Sequence, residues 1–303
     1  MIKRKIRGVL HNPKILGVKF LRMMSPLLPG RLYLKLLFFL RLDYKLNLQN
    51  PQTFNEKLQW LKLNYRNPDL PKMVDKFDVK KYVGEVIGEK YVIPTLGVWD
   101  TFSEVNFESL PDQFVLKTTH DQGGVVICKD KNQFDIDSAK KKINRHLKKN
   151  LYHLSREWPY KNIKPRIIAE KYMVDVKAGE LMDYKFFCFD GKPKLLYVAS
   201  DRQNKKDGIK FDYFDLDFNL LNITQAYAHS TNEIEKPKCF SKMIKLAEIL
   251  SKNLPHVRVD FYEINGSLYF GELTFFHHGG FVPFHPEEWD YKIGSYLKLP
   301  MKC

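Results

Sequence analysis

Cysteine is scarce in this chain, and the few cysteines are widely separated. The 303 residues contain four, Cys128, Cys188, Cys239 and Cys303, with no C-x-x-C spacing. This spacing argues against a zinc site and against a disulfide framework, and it is typical of a reducing compartment. We therefore expect a cytoplasmic location.

Long uncharged apolar runs are also lacking. The most apolar segment, residues 32–42, is interrupted by Lys35 and Arg41, so nothing approaches the roughly twenty apolar residues that a membrane span requires. No cleavable signal is expected either, because the early apolar patches are short and no small-residue cleavage site follows them.

Acidic residues are almost absent from the first 50 positions. This segment holds eleven Lys or Arg residues and one acid, Asp43, and thus +10 of the total charge of +15. One interpretation is a basic amphipathic helix that lies on the anionic inner face of the cytoplasmic membrane. The other is an ordinary core-packing helix with a basic outer face. Nucleic acid is not an expected partner, because no recognition motif accompanies the charge.

The rest of the chain alternates between helical and hairpin patterns. Thr53 and Glu56 have the spacing of a capping box and predict a helix after Thr53. A second helix is predicted from about Met73 to Ile87, with Gly88 as its stop. Helices interspersed with antiparallel hairpins indicate an α+β fold and not a doubly wound parallel sheet.

The last hairpin pattern turns at Asn265-Gly266, a pair that strongly favours a hairpin. A three-residue loop, 265–267, pairs Ile264 with Leu268. That register sets Asp260 opposite Glu272, whereas a two-residue loop would send these side chains to opposite faces.

Two facing carboxylates repel each other unless a cation lies between them. Asp260 and Glu272 offer hard oxygen ligands, which suit Mg²⁺, and the same register places Arg258 opposite Thr274. The alternative is a solvated strand face with ordinary charges. The apolar residues predicted for the opposite face favour the metal site.

A second candidate site lies near Lys117. This lysine ends an apolar strand, and the loop 118–124 that follows contains Gly123 and Gly124, where the backbone can approach a phosphate closely. Further along, Glu170 could accept a hydrogen bond from a purine amino group, and Asp183 from ribose hydroxyls. Taken singly, these features are also typical of an ordinary turn and of strand-end charges.

The order of these motifs resembles the ATP-grasp superfamily and, more narrowly, the TupA-like ATP-grasp family of bacterial surface-polysaccharide gene clusters. The segments that carry the resemblance are 53–60, 75–76, 114–117, 155–160, 168–172, 183–189 and 258–262. The resemblance implies an ATP-grasp fold in which two α+β subdomains clamp ATP. The implied boundaries are a basic helical region over 1–70, an N-terminal subdomain over 71–170 and a C-terminal subdomain over 171–303.

The resemblance also implies roles for individual residues. Arg258 and Lys117 would be catalytic, and Asp260, Glu272 and Thr274 would bind Mg²⁺. Relatives often carry Asn in place of Thr274, and a hydroxyl is a poorer Mg²⁺ ligand than a carboxamide oxygen. Whether the site would hold one metal ion or two therefore stays open. The residues assigned to ATP are Lys76, Lys117, Gly123, Gly124, Glu170, Lys171, Met173, Asp183 and Lys185.

The implied reaction activates a carboxylate, such as that of a uronic acid in a polysaccharide, as an acyl phosphate that an amine attacks. The residues considered for the substrate are Arg156, Trp158, Arg202, His277 and His278. Two alternatives stay open. Asp215-Leu-Asp217 has the spacing of a glycosyltransferase metal motif, and a sugar kinase would use the same ATP site with a hydroxyl acceptor.

Overall fold

The computed structural model describes residues 13–175, 181–201 and 208–301. Helices α1 and α2 form the basic lead and pack closely, since a Cβ on Gly17 would lie 3.3 Å from Leu40 Cδ2. No helix among these residues has the length and apolar content to cross a membrane. The α-helices are α1 Pro13–Met23, α2 Gly30–Leu42, α3 Phe54–Asn64, α4 Leu70–Val74, α5 Asp78–Ile87, α6 Ile136–Leu147, α7 Leu151–Ser155, α8 Phe240–Ser251 and α9 Glu288–Tyr296.

The lead is attached to the body by the buried side chain of Arg156. Its guanidinium donates to Ser25 Oγ at 2.9 Å and to the Leu28 carbonyl at 3.1 Å, and it stacks on the Tyr33 ring at 4.5 Å. Helix α2 also buries Tyr33, with Leu34, in the main core. The predicted core-packing helix is therefore present in α2.

Helix α3 begins where the capping box predicts. Thr53 Oγ1 accepts from the Glu56 N–H at 3.2 Å, and the Glu56 carboxylate accepts from the Thr53 N–H at 3.2 Å. Two of the four N–H groups without a helical partner are thus satisfied.

The helix predicted from Met73 to Ile87 is two helices instead. The Asp75 carboxylate accepts from the N–H groups of Phe77 and Asp78 at 2.9 and 3.0 Å, which starts a new helix at Asp78. A short aspartate that bonds its own downstream backbone competes with continued helix. The break leaves Lys76 in an irregular segment.

Two antiparallel sheets complete the fold. The first has the order β1-β4-β2-β3 and the second β7-β6-β5-β8-β9. Together with the helices they confirm the predicted α+β class. The strands are β1 Thr95–Trp99, β2 Phe114–Thr118, β3 Val125–Cys128, β4 Ile167–Lys171, β5 Asp183–Phe189, β6 Lys192–Ser200, β7 Lys210–Phe214, β8 His256–Ile264 and β9 Ser267–Thr274.

Each sheet has its own apolar core. The smaller core joins Phe114 and Leu116 of β2 to Ile143 of α6. The larger core joins the five-stranded sheet to the lead and to helices α3, α4, α5, α8 and α9. Polar residues of both sheets are left facing a shared cleft.

Candidate functional site

A cleft of about 320 Å³ lies between the two sheets. Lys117 and Glu170 approach it from the four-stranded sheet, and Asp183, Lys185 and Glu272 from the five-stranded sheet. Loop 118–124 closes one side, so residues that are far apart in the sequence meet here.

The register of the last hairpin is the one predicted at the carboxylates, but it arises differently. The turn contains two residues, since Ile264 pairs with Ser267, and the three-residue loop was therefore wrong. Asn265 and Gly266 both have positive φ, 51° and 75°, as a two-residue hairpin turn of this type requires. A bulge at Gly271 then shifts the pairing by one residue.

This bulge restores Asp260 opposite Glu272 and Arg258 opposite Thr274. The cation between the two carboxylates is the guanidinium of Arg258, whose Nη2 lies 2.7 Å from Asp260 Oδ2 and 2.9 Å from Glu272 Oε1. The same nitrogen donates to Thr274 Oγ1 at 2.9 Å. The described residues contain no group of three or more His, Cys, Asp or Glu that could hold a metal by itself. A metal at Asp260 and Glu272 would therefore need ligands from a bound molecule or water.

Asp260 is fully buried, whereas 46% of the Glu272 side chain is exposed to the cleft. Burial raises the pKa of Asp260 to about 6 against the opposing charges of Arg258 and Lys185. Burial also acts to raise the pKa of Glu272, but Lys185, Arg258 and Lys76 outweigh it and lower the pKa to about 2. Glu272 therefore presents its carboxylate oxygens to the cleft.

Lys185 links the buried carboxylates of neighbouring strands. Its Nζ lies 2.7 Å from Asp183 Oδ2 and also contacts Asp260 Oδ2. Burial opposes the charge of Lys185, but Asp183 and Asp260 outweigh it and raise the pKa of the ammonium. Lys185 is therefore a fixed positive charge in the cleft.

On the opposite wall, Glu170 bridges two lysines. Its Oε1 lies 2.6 Å from Lys80 Nζ, and its Oε2 contacts Lys117 Nζ. The carboxylate predicted to bind a purine amino group is thus engaged with cations. Lys80 was missed by the sequence analysis, although it follows Lys76 by four residues and both line the cleft.

An apolar pocket of about 260 Å³ adjoins the cleft and shares Lys117 and Glu170 with it. Val115 and Ile127 form part of its wall. Residues 171–174 form its edge, so the pocket is bordered by Lys171 and Met173, two of the residues assigned to ATP.

Loop 118–124 is held from inside by Asp121. Its Oδ2 lies 2.5 Å from His146 Nδ1 of α6, its Oδ1 contacts Thr118 Oγ1, and its carbonyl accepts from Lys76 Nζ at 2.5 Å. Gly124 packs so closely that a Cβ there would lie 2.0 Å from Thr118 Oγ1. Gly123 lines the cleft with φ of 86°.

A third cavity, of about 460 Å³, opens beyond Arg258 and shares Lys185 and Glu272 with the cleft. His278 lines this cavity. His277 lies behind it and fixes Arg258, because its Nδ1 is 2.8 Å from Arg258 Nη1 and its Nε2 is 2.7 Å from Gln225 Oε1. We refer to this space as the distal cavity.

The other substrate candidates lie elsewhere. Arg156 binds the lead, as described above. Trp158 stacks under Arg66 at 5.1 Å and is not among the residues that line the distal cavity. Arg202 lies outside the described residues.

Comparison with known proteins gives one decisive match. The family model described as TupA-like ATP-grasp matches residues 56–298. The chain belongs to the TupA-like ATP-grasp family. No curated protein matches the chain.

Solved structures of ATP-grasp ligases are similar in part. D-alanine–D-alanine ligase from Bacillus anthracis, complexed with ATP, is 17% identical, with a TM-score of 0.39 over 67% of this chain and 54% of that one. ATP-grasp ligase PsnB, complexed with minimal precursor, Mg and ADP, is 10% identical, with a TM-score of 0.38 over 73% and 57%. This TupA-like ATP-grasp chain thus spans little more than half the length of these ligases.

Proposed function

We propose that this protein is an ATP-dependent carboxylate–amine ligase. The observation that carries the proposal is the continuity of three spaces: the apolar pocket, the charged cleft and the distal cavity beyond Arg258. A nucleotide base, its phosphates and an acceptor would occupy them in that order.

The apolar pocket suits adenine, because apolar side chains flank it and the backbone of 171–173 borders it. Asp183 would accept from the ribose hydroxyls. Lys76, Lys117 and Lys185 would bind the phosphates, while Gly123 and Gly124 let loop 118–124 approach them. The bridge from Glu170 to Lys80 and Lys117 holds two of the cleft's cations in place before nucleotide binds.

The donors at the end of the cleft fit Mg²⁺. Asp260, Glu272 and Thr274 would supply hard oxygen atoms, and the half-exposed Glu272 is accessible from the phosphate side. Asp260 is buried with its oxygens on Arg258 and Lys185, so it would exchange one of these contacts for the metal. When bound there, Mg²⁺ would offset the charge of the phosphates. Arg258 lies between the two carboxylates and offsets one of their two negative charges before a metal arrives.

Arg258 is the residue best placed for the chemical step, because it lines the distal cavity beside Glu272 and Lys185. Its guanidinium and the Lys185 ammonium stabilise negative charge while an acceptor carboxylate oxygen attacks the γ-phosphorus of ATP and ADP leaves. The amine then attacks the acyl carbon, loses its proton and displaces phosphate. Gln122 borders both the cleft and the distal cavity, so loop 118–124 can exclude water from the acyl phosphate.

The acceptor proposed is an acidic sugar of a surface polysaccharide, with an amine or amino acid as the second substrate. The aromatic side chains of Tyr197, Phe211 and Phe281 in the distal cavity support a sugar, because sugar rings stack on such surfaces. We also propose peripheral contact with the inner membrane surface. It is supported by the exposed Phe20, Met23 and the other apolar side chains on the outer faces of α1 and α2, beside basic residues.

The glycosyltransferase alternative finds little support at Asp215. Its carboxylate accepts from the N–H groups of Asp217 and Asn219 at 3.0 and 2.8 Å and from the Asn219 amide at 2.9 Å. Asp215 thus stabilises an exposed turn, which is a sufficient reason for the D-x-D spacing.

The test is carboxylate-dependent ADP release with Mg-ATP, a panel of uronic acids and hydroxylamine as the trap. A hydroxamate that forms with the wild type and is lost in Asp260→Asn, but retained in Asp217→Asn, supports the ligase. ADP without hydroxamate supports the kinase. Activity that is lost in Asp217→Asn and retained in Asp260→Asn contradicts the proposal.

A further inference from the structure

Two arginines of the lead line the distal cavity. Arg22 from α1 and Arg41 from α2 lie in the same wall as Leu37, which is one helical turn before Arg41. Both arginines precede residue 56, where the match to the family model begins. The lead therefore contributes to this cavity as well as to the core.

The position of Arg41 within α2 is unusual for an exposed charge. The buried residues Leu34, Leu37 and Phe38 define the inner face of the helix, and helical spacing places Arg41 on that face. The outer face carries Leu32, Leu36 and Phe39, which are exposed, with Lys35 beside them. Arg41 is thus exposed because the inner face borders a cavity there.

No carboxylate of the described chain forms an ion pair with Arg22 or Arg41. The two guanidinium groups are also close enough to repel, since the charge of Arg22, after burial, contributes to lowering the pKa of Arg41. Like charges held together at a cavity mouth are relieved when an anion binds between them.

Arg258 lines the same cavity from the nucleotide side. Four basic residues line the cavity, Arg22, Arg41, Lys185 and Arg258, against two acidic ones, Glu157 and Glu272. The distal cavity is therefore basic on balance, with positive charge at Arg258, where the proposed reaction occurs, and at Arg22 and Arg41. The aromatic side chains of Tyr197 and Phe211 line it as well. A ligand that satisfies all of these groups carries two anionic groups on a ring or chain.

We propose that the acceptor carries a second anionic group, a phosphate or a second carboxylate, and that Arg22 and Arg41 bind it. This inference rests on the proposed acceptor role of the distal cavity. It makes the lead part of the specificity site, so that a carboxylate substrate without a second anion binds weakly.

The test compares glucuronic acid 1-phosphate with glucuronic acid by isothermal titration calorimetry, with and without saturating Mg-AMP-PNP. We expect the phosphate-bearing sugar to bind the wild type at least tenfold more tightly. In Arg22→Gln/Arg41→Gln the preference should fall below threefold, while the affinity for Mg-AMP-PNP stays unchanged. The matched control, Lys19→Gln/Lys35→Gln, removes two charges of the same helices at positions that do not line the distal cavity, and it should keep the preference.

Three results would overturn the inference: no preference in the wild type, a preference retained in the arginine variant, or an equal loss in the lysine control. Wild type that binds neither sugar counts as no preference. Failure of Mg-AMP-PNP to bind contradicts the proposed function instead, because the titrations without nucleotide still measure the distal cavity. The single variant Arg41→Lys should retain part of the preference that the double variant loses, since lysine keeps the positive charge without the planar guanidinium.

Discussion

Replacing Glu170 by Gln tests the bridge that organises the nucleotide side of the cleft. Only 7% of the Glu170 side chain is exposed, and its carboxylate contacts Lys80 and Lys117. Burial alone would raise its pKa, but the charges of Lys117 and Lys80 outweigh burial and lower the pKa from 4.5 to about 2. At 1.36 kcal/mol for each pH unit, this lowering corresponds to about 3 kcal/mol of stability.

The sign of the pH dependence follows from the lowered pKa. The Glu170 carboxylate takes up a proton near pH 4.5 in the unfolded chain and near pH 2 in the folded protein. Its contribution to the free energy of unfolding is therefore complete above pH 4.5 and is lost as the pH falls toward 2. We therefore expect Glu170→Gln to lower the free energy of unfolding by about 3 kcal/mol at pH 7. The difference from the wild type should shrink below pH 4.5.

The assay is urea unfolding of both proteins at pH 7, 6, 5 and 4, without nucleotide. Glu85→Gln is the matched control, because Glu85 is 64% exposed and lies 3.9 Å from Lys81, so it should change stability by less than about 0.5 kcal/mol. A Glu170→Gln effect as small as that of the control, or one that grows as the pH falls from 5 to 4, would refute the reasoning.

Two further substitutions test the packing of the glycine turn after β9 against α3 and the attachment of the lead. Gly280→Ala should lower the free energy of unfolding in urea by about 1–3 kcal/mol, because φ at Gly280 is 66° and a Cβ would lie 3.1 Å from the Asn55 carbonyl. Gly266→Ala is the control, since Gly266 has a φ of 75° but open space around it and therefore measures the cost of the positive φ alone. An equal loss of stability in both variants would contradict the packing argument. Arg156→Met should lower the free energy of unfolding by about 2–3 kcal/mol, because the hydrogen bonds to Ser25 and Leu28 are lost. Arg156→Lys should recover little of this stability, since an ammonium lacks the planar fork of the guanidinium. Wild-type stability of either variant would show that the ring stack and the hydrogen bonds are dispensable.

That Asp260 and Glu272 lie opposite each other was predictable from the sequence, but the bulge that puts them there was not. Asn265-Gly266 is a local signal, and it located the turn correctly, although the predicted loop length of three residues was wrong. The bulge at Gly271 depends on how the backbone of β9 meets that of β8, where a Cβ would lie 3.1 Å from the Asp260 carbonyl. Such a contact between strands has no local pattern, so the sequence does not reveal that a bulge, and not a longer loop, brings the two carboxylates together.

The ion pairs that line the cleft were the hardest to predict. The strand-end position of Glu170 suggested a hydrogen bond to a base, yet Lys80 and Lys117 come from two other elements that only the fold brings near. The charges of Arg22 and Arg41 were visible as part of a basic lead, but residue spacing alone does not reveal that the inner face of α2 borders a cavity.

The most direct test of the central claim is oxygen transfer from the acceptor to phosphate. The carboxylate of the uronic acid that supports ADP release is labelled with ¹⁸O, and the phosphate released in the presence of the amine is examined by mass spectrometry. Carboxylate activation predicts one ¹⁸O atom in each phosphate released, because the attacking carboxylate oxygen leaves with the phosphoryl group. Released phosphate without ¹⁸O would contradict the account.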